Sequence, residues 1–592
     1  MINQYSLSFI NLALYIILGF GLLINKYIYP KKNINLFVLL ILISLLATWS
    51  IFRPGDYQSG DFNPHVYRSI AFYDALKDGQ IIPSWPKDLN ATYGYTVFIF
   101  NYNFPYYIVS FFHFIGISFI TSMKLYLALT YLLSGVFMYL WAKNEFKNTL
   151  AAFTASIFYL FTPYHLVDLH FRVSIGELTI FALLPLLLIC IQKIFIDYKK
   201  ILLLYISILF SLIIVAHAGT GFFSLLIVIP YIIYNCCFKK PFKKIKHNQL
   251  SFKIFAALFF GAIISSYIFL PYLLFAKYTY AYILTSNVVS FVSIRDLLFS
   301  QWRFGFLFQG HKGELGLLIG YTQLFVLFAM LALLIKKQFK RMTITPQIIW
   351  LALSFLLIFL ISPFSYQIWK TFSFLNVIQF SYRLLLLLTV CISVLAGYYA
   401  LTLLKKPFFI YLLLALTVGY TLLNWGQRTI LPAINDSYLI HNLPYSTAEV
   451  EGFCCAGTTI WGDIKNPWID IVPKEHLKII QGEAEWKQTL RTSVKHEYIV
   501  YNETPVIVQE NTIYFPGWTV KDNQKTLNIY YSTTTPKGVI RFDLSPGLHS
   551  ITVEYKDPLV FRLLKLLNIL VILIIFAIIV IYNTKRFLQK YH

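Results

Sequence analysis

The chain has 592 residues, of which 58% are apolar, 18% aromatic and only 13% charged. A soluble domain carries about 25% charged residues, and a soluble chain of this size could not hide so much apolar surface. With a mean hydropathy of +0.65, an ordinary cytosolic enzyme, a disordered chain and a disulfide scaffold are excluded.

Apolar runs long enough to cross a bilayer begin near Leu7, Ile34, Phe119, Leu150, Glu177, Ile201, Thr220, Ile254, Leu315, Gln347, Leu384, Phe408 and Val560. The expected fold is a polytopic α-helical membrane protein with about 13 transmembrane helices. Leu7–Leu23 lacks a basic flank and a small-residue cleavage site, so it reads as a retained span rather than a signal peptide. In the loop Arg53–Tyr107, Val66, Ile70, Phe72, Tyr73 and Leu76 lie roughly on one side of a helix expected over His65–Leu76, lying at the membrane interface. Val97–Gly116 is interrupted by Asn101, Asn103, Pro105 and His113, and reads as an interfacial or re-entrant segment.

With that segment left out of the span count, seven basic clusters fall on one side. They run from Lys26/Lys31/Lys32 to Lys585/Arg586/Lys590 and together hold 23 Lys and Arg. The net charge of +23 is therefore the positive-inside signature of a membrane protein, not a sign of nucleic-acid binding. The expected location is the cell membrane, with the amino terminus outside and the carboxyl terminus cytoplasmic. Nine of the 11 acidic residues before residue 425 then lie on the outer side, where chemistry is expected.

From Asn424 to Pro558 charges and turn residues become common. Strand-like runs appear at Tyr498–Tyr501, Thr504–Val508, Thr512–Phe515, Leu527–Tyr531, Gly538–Leu544 and His549–Tyr555, with turns at Pro516-Gly517 and Pro546-Gly547. The expected organisation is a transmembrane domain over 1–424 with an outer loop 53–118, an extracytoplasmic all-β, sandwich-like domain over 425–557, and a final helix and cytoplasmic tail over 558–592. Cys454 and Cys455 are adjacent, so a bridge between them would be strained. No cysteine spacing suggests zinc.

Three clusters could carry chemistry. In the first, Asp61 precedes the helix beginning near His65. It is either an N-cap or a base or cation ligand at the membrane surface, and Asp56 could serve in the same way. In the second, His165, Asp168, His170, Arg172 and Glu177 occur within 13 residues. Ionisable groups at a membrane edge are costly unless paired or functional. Asp168 and Arg172 form either a structural i, i+4 pair or, with Glu177, a site in which Arg172 forks a phosphate. In the third, Arg383 in NVIQFSYRLLLL either snorkels or meets a lipid phosphate. His311 and Glu314 are weaker candidates. Trp461, Trp468 and Trp518 could stack on sugars or pack in a core.

The segments GDFNPHVYRSIAFYDALKDGQIIPSW, FNYNFPYYI, YLFTPYHLVDLHFRVSIGELTIFALLPL and VIQFSYRLLLL together resemble a bacterial and archaeal membrane family. This is the 6-pyruvoyl-tetrahydropterin-synthase-related proteins with their YfhO-like relatives, neighbours of the GT-C glycosyltransferase superfamily. Ser381-Tyr382 replaces the usual Pro-Trp. FPGWTVKDNQK followed by LSPGLHSITVEYKDP resembles the YfhO-like outer domain. The resemblance implies a GT-C-type hexosyl or pentosyl transferase. Such an enzyme moves a sugar from a polyprenyl-phosphate donor in the bilayer to an envelope glycan, lipid or protein, with inversion.

It also implies roles for single residues. Asp61 or Asp56 would be the first catalytic acid, and Asp168 or Glu177 the second. His65, His165, His170, Arg172 and Arg383 would bind substrate. A divalent cation (Mg or Mn) would sit at Asp61 and Asp168. The rival expectations are a transporter or flippase of lipid-linked sugars, which would need broken or polar helices that the sequence shows little of, and a non-catalytic envelope assembly protein.

Overall fold

A computed structural model describes residues 4–31, 33–238, 247–280, 289–299, 316–338, 346–426, 429–445, 459–463, 469 and 471–591. His311, Glu314, Cys454, Cys455 and Trp468 lie outside the described residues. Two compact units form. The first joins Met1–Phe62, Met123–Ile263 and Val288–Ala433; the second joins Asn63–Ser122, Ile264–Asn287 and Ile434–His592.

Among the described residues, seven helices are long and apolar enough to cross a membrane, or up to ten if each bent pair counts as one span. Leu36–Phe52, Lys200–Ala216 and Tyr321–Lys336 are shorter apolar helices. Every apolar run expected from the sequence finds its counterpart among these elements. The protein is a multi-pass membrane protein, mostly helical, with an antiparallel all-β region near its carboxyl end.

The breaks correct one expectation. Thr149–Leu160 and Pro163–Arg172 meet at 49°, and Pro346–Ile361 and Pro363–Thr371 at 81°. Each break is a residue before proline. Thr162 sits at φ −70°, ψ 134° and Ser362 at φ −84°, ψ 159°, because the proline ring pushes its predecessor out of the helical region. A third pair, Gln249–Ile264 and Ser266–Tyr278, is interrupted at Ser265. Broken helices are therefore a feature of this protein, contrary to the reading of its hydropathy.

In the second unit, a four-stranded sheet runs in the order Leu477–Gln481, Val506–Ile513, Val539–Leu544, Tyr530–Tyr531. A five-stranded sheet runs Glu485–Arg491, Lys495–Asn502, Gly547–Tyr555, Trp518–Asp522, Lys525–Leu527. All pairings are antiparallel. Two separately expected runs merge into Val506–Ile513. Leu477–Gln481 and Glu485–Arg491 were not foreseen, since both are largely solvent-facing and lack a clean apolar alternation.

The core between the sheets is not made by the strands alone. Trp85, Ala91, Tyr93 and Ile99, from the first loop, are buried with Val500, Val508, Phe542 and Val553. Trp85 meets Trp518 edge-on at 5.4 Å. Arg491 donates to the carbonyls of Lys87 and Thr92 at 3.0 and 2.9 Å and pairs with Asp88 at 3.2 Å. Asp78 accepts from the Ser493 amide and hydroxyl at 2.7 and 2.6 Å. Three successive residues, Asn90, Ala91 and Thr92, hold positive φ of 54°, 52° and 71°. This strained turn is held by the Arg491 fork.

The helix Phe62–Lys77 differs from expectation in its environment. His65 to Phe72 are all buried, so it is an internal helix rather than one resting on the interface. Phe72 packs edge-on against Phe98 and Tyr107 at 5.1 and 4.9 Å. Val97–Gly116 forms two short helices, Val97–Phe100 and Phe104–Phe114, parted at Asn101–Asn103. The longer spans only about 17 Å, short of a bilayer. The final helix, Leu559–Tyr591, donates from Asn568 Nδ2 to the Ile264 carbonyl at 2.7 Å, a carbonyl left over by the break at Ser265.

Candidate functional site

The second sequence cluster lies on the kinked half-helix of the first unit. After Pro163–Val167 the chain takes one wide π turn, Asp168–Arg172, and Val173 leaves it at φ 58°, ψ 49°. A π turn inserts a residue and re-aims the side chains that follow it. Here it sets Arg172 Nη1 2.6 Å from Asp168 Oδ1 and Nη2 3.1 Å from Glu177 Oε1. The structural pair foreseen for Asp168 and Arg172 is present, within a larger cluster.

Glu177 opens the next helix, Ile175–Ile196, and is the hub. Its Oε2 accepts from Tyr164 OH at 2.5 Å, and its Oε1 accepts from Ser174 Oγ at 3.2 Å. Arg383, from a segment 200 residues away, brings Nε within 3.2 Å of the same Oε1. That contact is a charge pairing without hydrogen-bond geometry, because Arg383 Nε makes no hydrogen bond. Arg383 Nη1 donates to the Ile378 carbonyl and Gln379 Oε1 at 2.8 and 2.9 Å. The Tyr382 ring lies under the Arg172 guanidinium at 4.9 Å.

Asp168 and Glu177 are 0% exposed, Arg172 7% and Arg383 9%. Two carboxyl groups and two guanidiniums are thus gathered where an unpaired ion would be costly. One atom is left over: Asp168 Oδ2 is buried with no hydrogen-bond partner.

The first loop reaches this cluster by its main chain. Gly60 N donates to Phe171 O at 2.6 Å and Asp61 N to Arg172 O at 2.9 Å. Two amides therefore cap carbonyls at the end of the π turn. A Cβ on Gly60 would sit 3.1 Å from the Arg172 carbonyl oxygen, so glycine permits this approach. Asp61 stands just before the helix Phe62–Lys77, but the hydroxyl that accepts from Phe62 N, at 3.2 Å, belongs to Ser59.

Asp56 is placed differently. It is 2% exposed, pairs in a short strand with Leu431, and accepts from the Tyr57 amide at 2.6 Å.

The three histidines are built into packing. His165 stacks on Phe181 at 3.8 Å, and its Nδ1 lies 3.1 Å from the Tyr159 carbonyl. His170 is buried and bonded to the Ala47 backbone. His65, in the second unit, sits 2.9 Å from Tyr106 OH. Burial, then the Arg68 charge, holds it far below its usual range, so it is neutral.

Among the described residues no group of three or more His, Cys, Asp and Glu side chains could hold a metal ion. Asp168 Oδ1 is taken by Arg172. A site that holds two arginines does not fit a divalent cation, whose ligands are oxygens unopposed by cations.

Spacing could not reveal Tyr164, Ser174, Gln379, Tyr382 or Gly60 as members of the site, because each joins through tertiary contact. Tyr164 and Tyr382 do lie inside the motifs read from the sequence.

A family model described as a 6-pyruvoyl-tetrahydropterin synthase related domain of membrane proteins matches residues 100–425, which hold Asp168, Arg172, Glu177 and Arg383. An uncharacterized protein of Lactococcus lactis subsp. cremoris is 30% identical over 111 residues, 19% of this chain and 18% of that protein. The crystal structure of the Archaeoglobus fulgidus oligosaccharyltransferase in the apo form aligns with a TM-score of 0.39 at 15% identity, over 67% of this chain and 56% of that one. FNYNFPYYI, YLFTPYHLVDLHFRVSIGELTIFALLPL and VIQFSYRLLLL lie inside the matched segment, the first-loop and outer-domain motifs lie outside it, and the chain belongs to the 6-pyruvoyl-tetrahydropterin synthase related family of membrane proteins.

Proposed function

We propose that the protein is a membrane glycosyltransferase that moves a sugar from a polyprenyl-phosphate donor to a cell-envelope acceptor. The observation that carries the reading is the buried quartet of Asp168, Arg172, Glu177 and Arg383, with Asp168 Oδ2 unpartnered. A buried ion network is poor value as a stabiliser, since apolar packing often does as well. An anionic headgroup gives these groups work to do.

In this reading the phosphate shares the guanidiniums of Arg172 and Arg383 with Glu177. The acceptor hydroxyl lies at a carboxylate oxygen, Asp168 Oδ2 or one of Asp61. The hydroxyl proton passes to the carboxylate and its oxygen bonds to C1 of the sugar. The C1–oxygen bond to phosphate breaks, and polyprenyl phosphate leaves with the electron pair, stabilised by the arginines. Attack opposite the leaving group inverts the anomeric carbon. The expected setting is the outer face of the cell membrane, with the carboxyl terminus in the cytoplasm.

The test uses the full chain in lipid nanodiscs with a polyprenyl-phosphate hexose and a hexose-containing acceptor, reading release of polyprenyl phosphate. Release that vanishes in Asp168→Asn and Arg383→Ala supports the proposal. No release from any hexosyl or pentosyl donor sinks it.

A second reading is favoured by the broken helices at Thr162 and Ser362, which resemble those of transporters. It makes the protein a flippase of lipid-linked sugars. A flippase would carry a non-transferable donor analogue across sealed proteoliposomes; a transferase would not.

A further inference from the structure

The second unit carries an aromatic cluster that the quartet does not use. Trp461 stacks on Tyr278 with ring centres 5.9 Å apart and planes 16° from parallel. Tyr514 stacks on Tyr531 at 5.8 Å and 27°. The two pairs meet edge-to-face, Trp461 on Tyr514 at 4.7 Å and 80°. Tyr278, Trp461 and Tyr514 rest one side on the sandwich core. Tyr531, on the two-residue edge strand, is 41% exposed. Beside the rings, Lys537 pairs with Asp463 at 3.2 Å, both partly exposed. Thr459, two residues before Trp461, is 1% exposed and its hydroxyl has no hydrogen-bond partner.

Core packing accounts for one face of these rings and not for the arrangement as a whole. Buried aromatics that only fill volume have no need of a charged pair and a spare hydroxyl alongside. Flat ring faces flanked by hydrogen-bonding groups match a pyranose. Its axial C–H face is apolar and stacks on an aromatic ring, while its equatorial hydroxyls radiate outward to donors and acceptors. Within each pair the rings cover one another's inner faces, which leaves the exposed side of Tyr531 as the stacking face for a sugar unit. A partner helix or strand would bring apolar side chains and would be opposed by the Lys537–Asp463 pair at the rim.

We infer that the patch formed by Tyr278, Trp461, Tyr514 and Tyr531 is a carbohydrate-binding site for a pyranose oligosaccharide. The inference rests on the transferase reading only for the meaning of that glycan as acceptor; the binding itself is independent of it.

The experiment uses the purified full chain in nanodiscs, without donor. Maltohexaose, cellohexaose, chitohexaose and mannohexaose are titrated while tryptophan fluorescence and saturation-transfer NMR are followed. The expected result is saturable binding of at least one hexasaccharide. Tyr531→Ala, on the exposed edge, should weaken it about tenfold with an unchanged melting temperature, and Tyr531→Phe should retain it. Trp461→Ala serves as a second variant if its melting temperature holds. No binding of any of the four, or binding unaffected by Tyr531→Ala, overturns the inference. Binding that survives loss of donor turnover in Asp168→Asn separates this site from the quartet. If glycans bind and no donor is ever turned over, the transferase reading fails and this one stands.

Discussion

Glu177 in the helical unit and Glu510 in the β-rich unit are both 0% exposed, yet they are held in opposite ways. Glu177 is bracketed by two guanidiniums, Arg172 and Arg383, which stay charged at any pH a protein meets. Glu510 is held by His496 Nδ1 at 2.7 Å and Tyr498 OH at 3.1 Å, with no guanidinium among these partners. Burial alone would raise the Glu510 carboxyl. The charge and hydrogen bond of His496 more than offset this and leave it below the usual glutamate range. The helical unit therefore keeps its buried ions fixed, while the sandwich carries a titratable cluster.

The largest effect is expected at Glu177. Glu177→Leu leaves two buried arginines without their shared anion, and removing one partner of a buried pair costs about 3–5 kcal/mol. The expected outcome is loss of monodisperse protein on size-exclusion chromatography in detergent. Full recovery would show that the quartet is not a closed ion network. Asp168→Asn changes less of the fold, because the amide can still accept from Arg172. Transfer should fall by about 10²–10⁴ in the polyprenyl phosphate release assay, at an unchanged melting temperature.

The sandwich should respond to acid. Burial, then the Arg491 charge, lowers His476 to about 4. A histidine lowered on folding stabilises the fold above its unfolded value of about 6.5. That stability is lost as pH falls toward 4, by up to about 1.4 kcal/mol per pH unit. Glu510 adds to the loss below its ordinary value of about 4.3, since its folded pKa is depressed. Thermal melts followed by tryptophan fluorescence at pH 7.5, 6 and 5 should show the slope, and His476→Leu should flatten it. Arg491→Ala removes the fork on Lys87 and Thr92 and should cost about 1–3 kcal/mol in the same melts. The smallest effect is at Gly60→Ala, where the new methyl meets the Arg172 carbonyl and the neighbours must give by a few tenths of an ångström. A melting loss of about 1 kcal/mol, with a lower kcat, would support the docking of Asp61 on the π turn.

The helical part was legible because a bilayer demands long apolar runs, and the runs starting at Leu7, Phe119 and Phe408 announce themselves. The kinks before Pro163 and Pro363 escaped the reading, because hydropathy averages over a single proline. The acids and arginines of the site could be singled out by their oddity in apolar surroundings. Their arithmetic could not, because Glu177 joins Arg172 to Arg383 across 200 residues of chain and no local spacing records that. In the β region, strands with an alternating apolar face such as Gly547–Tyr555 could be read, whereas Glu485–Arg491, polar almost throughout, could not. The burial of Trp85 and Tyr93 was invisible for the same reason as Arg383: both depend on partners hundreds of residues away.

The sandwich cannot close its core until Trp85, Tyr93 and Ile99 are threaded into it, and these emerge from the ribosome some 380 residues before Leu477. At ordinary rates of translation they wait roughly 20–80 s with their aromatic faces uncovered. The segment is thus a natural client for chaperones during membrane insertion. The same dependence forbids exchanging the carboxyl-terminal region between homologues as a module: a graft that leaves behind its own first loop should arrive with a hole where Trp85 belongs.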